Sequence, residues 1–339
     1  MPADALVQVR TPTYKRPDAL RRCLQSLQAQ TWQNWVCDVY DDDPGRSARD
    51  VCNDLGDPRV FYNHNDPQAY ASRNIDKCFS KDNPRQADYF CVIEDDNYIL
   101  PEFMQANVDA CRRLGVELML RNQYVEFDSG TSKARLSDFG IFDEMFMERI
   151  YEPEEFRLSL IPGIGVSNGA VFWSRDATSQ LEIGYACTAT LQEYMRTFSV
   201  TERLYVAKEP LAVWAQNGAQ TTRDLGISAS YLKRELDLKR AIQTLQREAW
   251  RGAGDKRRDF INSELFAYPA QLRARGLAKA LIPARIGDVL DVREKFELAC
   301  RGLLIRAAGQ VPRDFRQFLS SRNGEHIRSD ARRAPVNRR

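Results

Sequence analysis

The chain has 339 residues, 43% hydrophobic and 28% charged, the balance of an ordinary soluble protein with material for a sizeable core. That excludes collagen-like, coiled-coil-only and wholly disordered chains, and no apolar run approaches the roughly 18–20 residues a spanning helix needs. Net charge is only +2, yet residues 226–339 carry 25 Lys and Arg against 13 Asp and Glu, a net of +12, which leaves −10 for residues 1–225. A basic last third suits an anionic surface, a phosphorylated lipid or the acidic body itself. Met1 to Leu6 lacks a basic stretch leading into an apolar run, so a cytoplasmic chain is expected.

In chain order, Leu6 to Arg10 alternates as a short strand, and Asp18 opens a helix to Gln30 with Leu20, Cys23, Leu24 and Leu27 on one face. A strand follows at Trp35 to Tyr40, then a helix at Ser47 to Leu55. Next come a strand at Arg59 to Tyr62 and a helix at Tyr70 to Phe79. Tyr89 to Ile93 is a continuous apolar run expected at the centre of a sheet, and a helix starts near Pro101. Alternating strand and helix over the first 115 residues predicts an α/β layer with a mostly parallel sheet, whose ligands bind at the carboxyl ends of the strands. Strands at Glu117 to Tyr124, Gly169 to Trp173 and Arg203 to Val206 follow, with a helix over Thr188 to Ser199. Beyond Gly226 the pattern is helical. Leu238, Ile242, Leu245 and Ala249 share one face, and Val289, Val292, Phe296, Cys300 and Leu303 another. The eight cysteines form no C-x-x-C pair and read as buried free thiols.

Acidic clusters fall where strands end, at Asp41-Asp42-Asp43 and at Glu94-Asp95-Asp96-Asn97. Three adjacent carboxylates repel one another, and a hard cation such as Mg²⁺ or Mn²⁺ relieves this, completing its shell with substrate phosphates. The same acids also suit a solvated helix N-terminus, so both readings stand. Pro162 to Gly169 is glycine-rich but lacks the dinucleotide spacing. His64 and His326 fall in no motif, so histidine chemistry has little support.

Four segments together carry a resemblance. Val7-x-Val9-x-Thr11-Pro12-Thr13-Tyr14-x-Arg16, Asp38-Val39-Tyr40-Asp41-Asp42, Ala71-Ser72-Arg73-Asn74 and Ile93-Glu94-Asp95-Asp96-Asn97-x-x-x-Pro101 resemble glycosyltransferase family 2 over about the first 220 residues. The resemblance implies a GT-A fold, a Rossmann-like central sheet flanked by helices, here with an α-helical C-terminal extension. It implies an inverting enzyme that uses a nucleotide-diphosphate sugar, most often a UDP-sugar, with Mn²⁺ or Mg²⁺. Thr11, Pro12 and Tyr14 would border base and ribose beside Arg16. Asp41 or Asp42 would receive the base edge, and Arg73 would reach the nucleotide. Glu94 would lie near the ribose or metal-bound water, Asp95 would belong to the nucleotide site, and Asp96 would ligate the metal. Glu193 in Gln192-Glu193-Tyr194 would be the catalytic base, and Gly165, Ser167, Asn168 and Gln192 would line the acceptor and donor-sugar pocket. Glu94 replaces the family's first Asp, Gln192 its first acid, and Ala215-Gln216-Asn217 lacks the histidine many members use.

Residues 1–225 are thus expected as the catalytic domain, 226–321 as a helical region and 322–339 as a basic disordered tail. The expected acceptor is a glycan or lipid-linked hydroxyl in surface polysaccharide synthesis. The alternatives are a non-catalytic sugar-nucleotide or glycan-binding subunit and a sugar nucleotidyltransferase. The latter wants a glycine-rich loop after the first strand, where Thr11 to Pro17 has no glycine. The basic third shows no nucleic-acid motif. Its helices are expected chiefly as core, on the catalytic domain or in a homodimer, with a basic amphipathic surface on anionic lipid as the second reading.

Overall fold

The computed structural model describes residues 5–163, 166–185, 187–216, 229–258, 260–287 and 289–321, with Gly324 and Ile327. Strands β1 (Val7–Thr13), β2 (Trp35–Asp41), β3 (Val60–His64) and β4 (Tyr89–Val92) alternate with helices α1 (Pro17–Gln28), α2 (Ser47–Leu55) and α3 (Tyr70–Asp76). Strand β5 (Tyr98–Ile99), helix α4 (Phe103–Leu114) and strands β6 (Leu118–Phe127), β7 (Arg135–Gly140) and β8 (Arg149–Tyr151) follow. Helix α5 (Pro153–Ser159), strand β9 (Val171–Ser174), helix α6 (Ala189–Phe198) and strand β10 (Leu204–Ala215) complete the α/β body. The C-terminal helices are α7 (Ala229–Gly252), α8 (Ala270–Lys279), α9 (Val292–Ala308) and α10 (Arg313–Ser320).

The sheet runs β3-β2-β1-β4-β9-β6-β10-β5, with β7 on β6 and β8 on β10. The parallel run expected over the first 115 residues is β3-β2-β1-β4. Beyond it the sheet is mixed: β9 pairs antiparallel with both β4 and β6, while β6 and β10 are parallel. Central β1 is buried along its whole length, as a strand covered on both faces must be.

One core lies between the sheet and α1, α2 and α4, holding Leu20, Leu24, Trp35, Val51 and Phe103. A second, around Phe79, Trp173, Phe156 and Met195, also takes Ala241, Leu245 and Ala249 of α7 and Phe315 and Phe318 of α10. The α7 face read from the sequence is thus core shared with the α/β body. At Gly276 of α8 an added Cβ would come within 2.8 Å of Pro162 Cα and 2.9 Å of the Ile161 carbonyl oxygen, so that helix packs backbone against backbone.

The second helical face is a correction. Val292, Phe296 and Leu303 are 81%, 70% and 56% exposed, so this stripe of α9 is not core of the described chain. The opposite side packs instead, through Leu298 and Gly302. Both sides of this helix are apolar, so periodicity did not select which one faces in. Seven cysteines are buried or half-buried, and Cys300 on α9 is exposed, again contrary to the buried expectation. No helix of the described residues is long and apolar enough to cross a membrane. The tail read as disordered lies outside the described residues except for Gly324 and Ile327, as does His326.

Candidate active site

Parallel β2, β1 and β4 end at one edge of the sheet, so Thr13, Asp41 and the acids after Val92 come together there. Thr13 pairs in register with Asp41, and the Asp42 N–H donates to the Thr13 carbonyl at 3.0 Å. Thr13 Oγ1 donates to Asp95 Oδ2 at 2.8 Å, and the Tyr14 N–H approaches the same oxygen at 3.4 Å. Arg16 reaches both acids, at 3.3 Å from Asp95 Oδ1 and 2.5 Å from Asp96 Oδ2. Burial and the Asp96 charge push the Asp95 carboxyl above the usual range, against the pull of Arg16.

The two acids at the end of β2 have different tasks. Asp41 is fully buried and accepts from the Asp43 and Ala48 N–H groups and the Tyr62 hydroxyl, so it builds the entry to α2. Asp42 Oδ1 accepts from Asn65 Nδ2 at 2.8 Å and the Ala69 N–H at 2.6 Å, tying in the loop before α3. Lys77 donates to Asn65 Oδ1 and lies 4.2 Å from the centre of the Tyr40 ring. Tyr14 and Arg73 are exposed. Thr11 and Pro12 are buried, and Thr11 Oγ1 faces Cys37 Sγ at 3.6 Å, so the Thr11 side chain points into the core instead of the open edge.

Antiparallel pairing delivers the other half of the site. Strand β4 runs to the active edge and β9 starts from it, which sets the 3₁₀ turn Asn168–Ala170 beside Glu94. A Cβ on Gly169 would lie 3.0 Å from Gln123 Nε2 and 3.7 Å from the Val92 carbonyl oxygen. Asn168 Nδ2 donates to Glu94 Oε1 at 3.1 Å and to Glu193 Oε1 at 3.2 Å. One amide thus bridges two glutamates 99 positions apart in the chain.

Helix α6 is capped by Thr188, whose hydroxyl accepts from the Leu191 N–H. Leu191, Met195 and Phe198 bury its inner face. Glu193 and Arg196, three residues apart, project from neighbouring positions. Arg196 Nη1 donates to Asn168 Oδ1 at 2.6 Å, Nε to the Leu181 carbonyl at 2.8 Å, and Nη2 to Asp76 Oδ1 at 2.9 Å. Its guanidinium lies 3.6 Å from the centre of the Phe79 ring. Asp76 also accepts from the Ile183 and Gly184 N–H groups. The order Asp76–Arg196–Asn168–Glu193 therefore fixes the amide that fixes the glutamate.

Glu94 and Glu193 are each half-buried, reachable from solvent yet crowded by protein. Burial, reinforced by the charge of Asp96, raises the Glu94 pKa. Burial and then the Glu94 charge raise that of Glu193, with Arg196 opposing. Gln192 Nε2 donates to the Tyr185 carbonyl at 3.1 Å. Its Oε1, Ser167 Oγ and Gln123 Oε1 are buried without a hydrogen-bond partner. Gly165 and Asn217 lie outside the described residues.

Among the described residues no three His, Cys, Asp or Glu side chains form a metal cluster. A Mg²⁺-type ion needs only one or two carboxylates when a diphosphate supplies the other oxygens. The half-buried Asp96, at the mouth of an all-oxygen acidic edge, fits that donor set, with Arg16 as its present counter-charge.

Arg196 has no role in the motif as read from the sequence; its three-residue spacing from Glu193 is the signal that points to it. Asp76 had none, because its partner is 120 residues away.

No curated protein matches the chain. Its fold is similar to the crystal structure of S. aureus TarS 1-349 in complex with UDP-GlcNAc, with TM-score 0.56, 12% identity and 92% and 89% of the two chains covered. The complex of the same TarS piece with UDP gives TM-score 0.52 at 12% identity, over 92% and 88%. The model of glycosyl transferase family 2 matches residues 9–181, just over half of the chain and the span that carries the acidic strand ends and Asn168, with Glu193 and Arg196 of α6 beyond it. With its GT-A body and that match, the chain belongs to glycosyl transferase family 2 and is a glycosyltransferase.

Proposed function

We propose that this enzyme moves a sugar, with inversion, from a UDP-sugar to a hydroxyl of a glycan or lipid-linked acceptor in surface polysaccharide synthesis. The observation that carries the reading is the Asn168 amide holding Glu94 and Glu193 together beside Asp95, Asp96 and Arg16. The UDP-GlcNAc and UDP bound to the similar TarS fold support the choice of donor. Residues 1–225 are the proposed catalytic domain and 226–321 a helical region that shares its core.

The chemistry follows from the residues. Asp42, at the end of β2 beside the exposed Tyr14, receives the base edge, and Arg73 meets the nucleotide from α3. Glu193 takes the proton of the acceptor hydroxyl as that oxygen attacks the anomeric carbon. The bond from that carbon to the diphosphate oxygen breaks on the opposite face. A raised pKa brings Glu193 nearer neutrality than an ordinary carboxylate, which suits a base once it is ionised. Positive charge building on the sugar, as in other glycosyl transfers, is met by the Glu94 carboxylate. Asp96 would hold Mn²⁺ or Mg²⁺, which supplies charge neutralisation for the departing diphosphate. Ser167, Asn168 and Gln192 offer polar atoms to sugar hydroxyls.

The test is nucleoside diphosphate release and sugar transfer from UDP-, GDP- and dTDP-sugars, with and without Mn²⁺. Wild type is compared with Asp96→Ala and Glu193→Gln. Release from one UDP-sugar that needs Mn²⁺ and is lost in both variants is expected. Failure to bind any nucleotide overturns the proposal, and donor binding without turnover across an acceptor panel assigns the fold to a binding subunit.

A further inference from the structure

We propose that α9 is an interfacial helix that seats this enzyme on an anionic lipid bilayer. At about 100° per residue, Val292, Phe296, Cys300, Leu303, Leu304 and Ala307 occupy one arc of about a third of the helix circumference. Val292 is 81%, Phe296 70%, Leu303 56% and Leu304 61% exposed, and Cys300 and Ala307 are exposed with them. The arc is not a displaced core face, because the opposite side is the packed one. There Leu298 joins the cluster of α8, and a Cβ on Gly302 would lie 2.5 Å from the Lys279 carbonyl oxygen. A contiguous apolar arc on a solvent face marks an interaction surface.

Charge selects the occupant. Lys295 and Arg306 border the arc on one side and Arg301 on the other, while Arg293 stands at the first turn within the edge of the arc, beside Leu304 in angle. Arg306 lies close enough to Arg240 and Arg247 of α7 for the like charges to interact, which extends the basic border. The acids of the helix are engaged: Glu297 pairs with Arg293 at 3.0 Å, and Glu294 with Arg275. Residues 322–339 add six arginines against Glu325 and Asp330. A second copy docked arc to arc would set arginine borders against arginine borders. An anionic bilayer accepts the apolar arc and the cations together, the pattern of a helix lying in a membrane interface. The inference concerns where the enzyme works and is independent of donor identity.

The experiment is co-sedimentation of the full chain with phosphatidylcholine vesicles, with and without phosphatidylglycerol, at low and high salt. Wild type is compared with Phe296→Ser/Leu303→Ser and Arg301→Glu/Arg306→Glu, each first checked for an unchanged circular dichroism spectrum. Wild type is expected to bind the phosphatidylglycerol vesicles and to release at high salt. Partitioning should fall by about tenfold or more in the apolar double variant and comparably in the charge variant, from the burial and surface-charge contributions lost. Wild type remaining in the supernatant at low salt overturns the inference. So does equal binding by all three proteins, which would move the contact off α9. A wild-type dimer in equilibrium sedimentation that Phe296→Ser/Leu303→Ser dissolves, without vesicle binding, would give the arc to a second copy.

Discussion

Arg196→Met is the most informative single change. The methionine fills much of the volume of the stem and removes the fork that joins three elements. Nη2 pairs with Asp76 at 2.9 Å, the two side chains being 3% and 7% exposed, so the break leaves a buried carboxylate without its cation. Removing one partner of a buried pair costs about 3–5 kcal/mol. Asp76 keeps the Ile183 and Gly184 N–H donors at 2.9 and 2.7 Å, which places the cost near the lower end, about 3 kcal/mol. For a chain of 339 residues, whose unfolding entropy is about 2.1 cal/mol/K per residue, that is a melting temperature lower by about 4 °C. The second readout is functional. Arg196 opposes the rise in the Glu193 pKa, so its loss moves the acidic limb of the rate profile to higher pH. Arg196→Lys retains charge but not the three-way fork, and falls between. Calorimetry and a pH profile of kcat/KM on the same preparations test both. A melting temperature within about 1 °C of wild type, together with an unmoved acidic limb, refutes the positioning argument.

Glu193→Gln should lower transfer by about 10²–10⁴-fold while UDP affinity stays within about twofold, read by product formation and calorimetry. The same variant has a stability signature. Burial raises the folded-state pKa of Glu193 above the ordinary value of 4.5, so stability is full below that value and falls as pH rises through the raised one. The glutamine should therefore melt higher than wild type at alkaline pH and level with it near pH 4.5; a pH-independent difference contradicts the assignment. Asp42→Ala frees Asn65 and the Ala69 N–H and should weaken UDP binding about tenfold or more, the loss of a charge-assisted hydrogen bond; unchanged affinity removes Asp42 from the base site. Gly276→Ala puts a methyl into the backbone of residues 161 and 162 and should cost about 1–3 kcal/mol by denaturant titration; a neutral result denies the close packing of α8.

Local pattern explains which parts were readable early. Tyr89 to Ile93 is apolar because β4 lies between β1 and β9 with both faces covered, and such runs announce central strands. The acids that follow it mark an edge where parallel strands stop, and Thr13, Asp95 and Arg16 meet there because their strands are neighbours in the sheet. Strands β5, β7 and β8 were not read, since short strands of two to six residues carry too little alternation. Thr11 shows the limit of carrying a motif by position. Thr11 and Thr13 share one face of β1, but Thr11 lies inside the strand, where its hydroxyl meets Cys37, and Thr13 lies at the strand end, where it meets Asp95.

By itself the order of residues determined the α/β alternation, the family and the acidic strand ends, because periodicity, turn residues and motif spacing are local properties. The tertiary structure decided the rest. Antiparallel β9 brings Asn168 to Glu94, and α6 brings Glu193 to the same amide. Arg196 finds its counter-charge in Asp76 of α3. Helix α9, apolar on both sides, turned Leu298 and Gly302 inward and Phe296 and Leu303 outward. Which of two apolar faces is buried depends on what packs beside it, and that neighbour, α8, is a separate part of the chain.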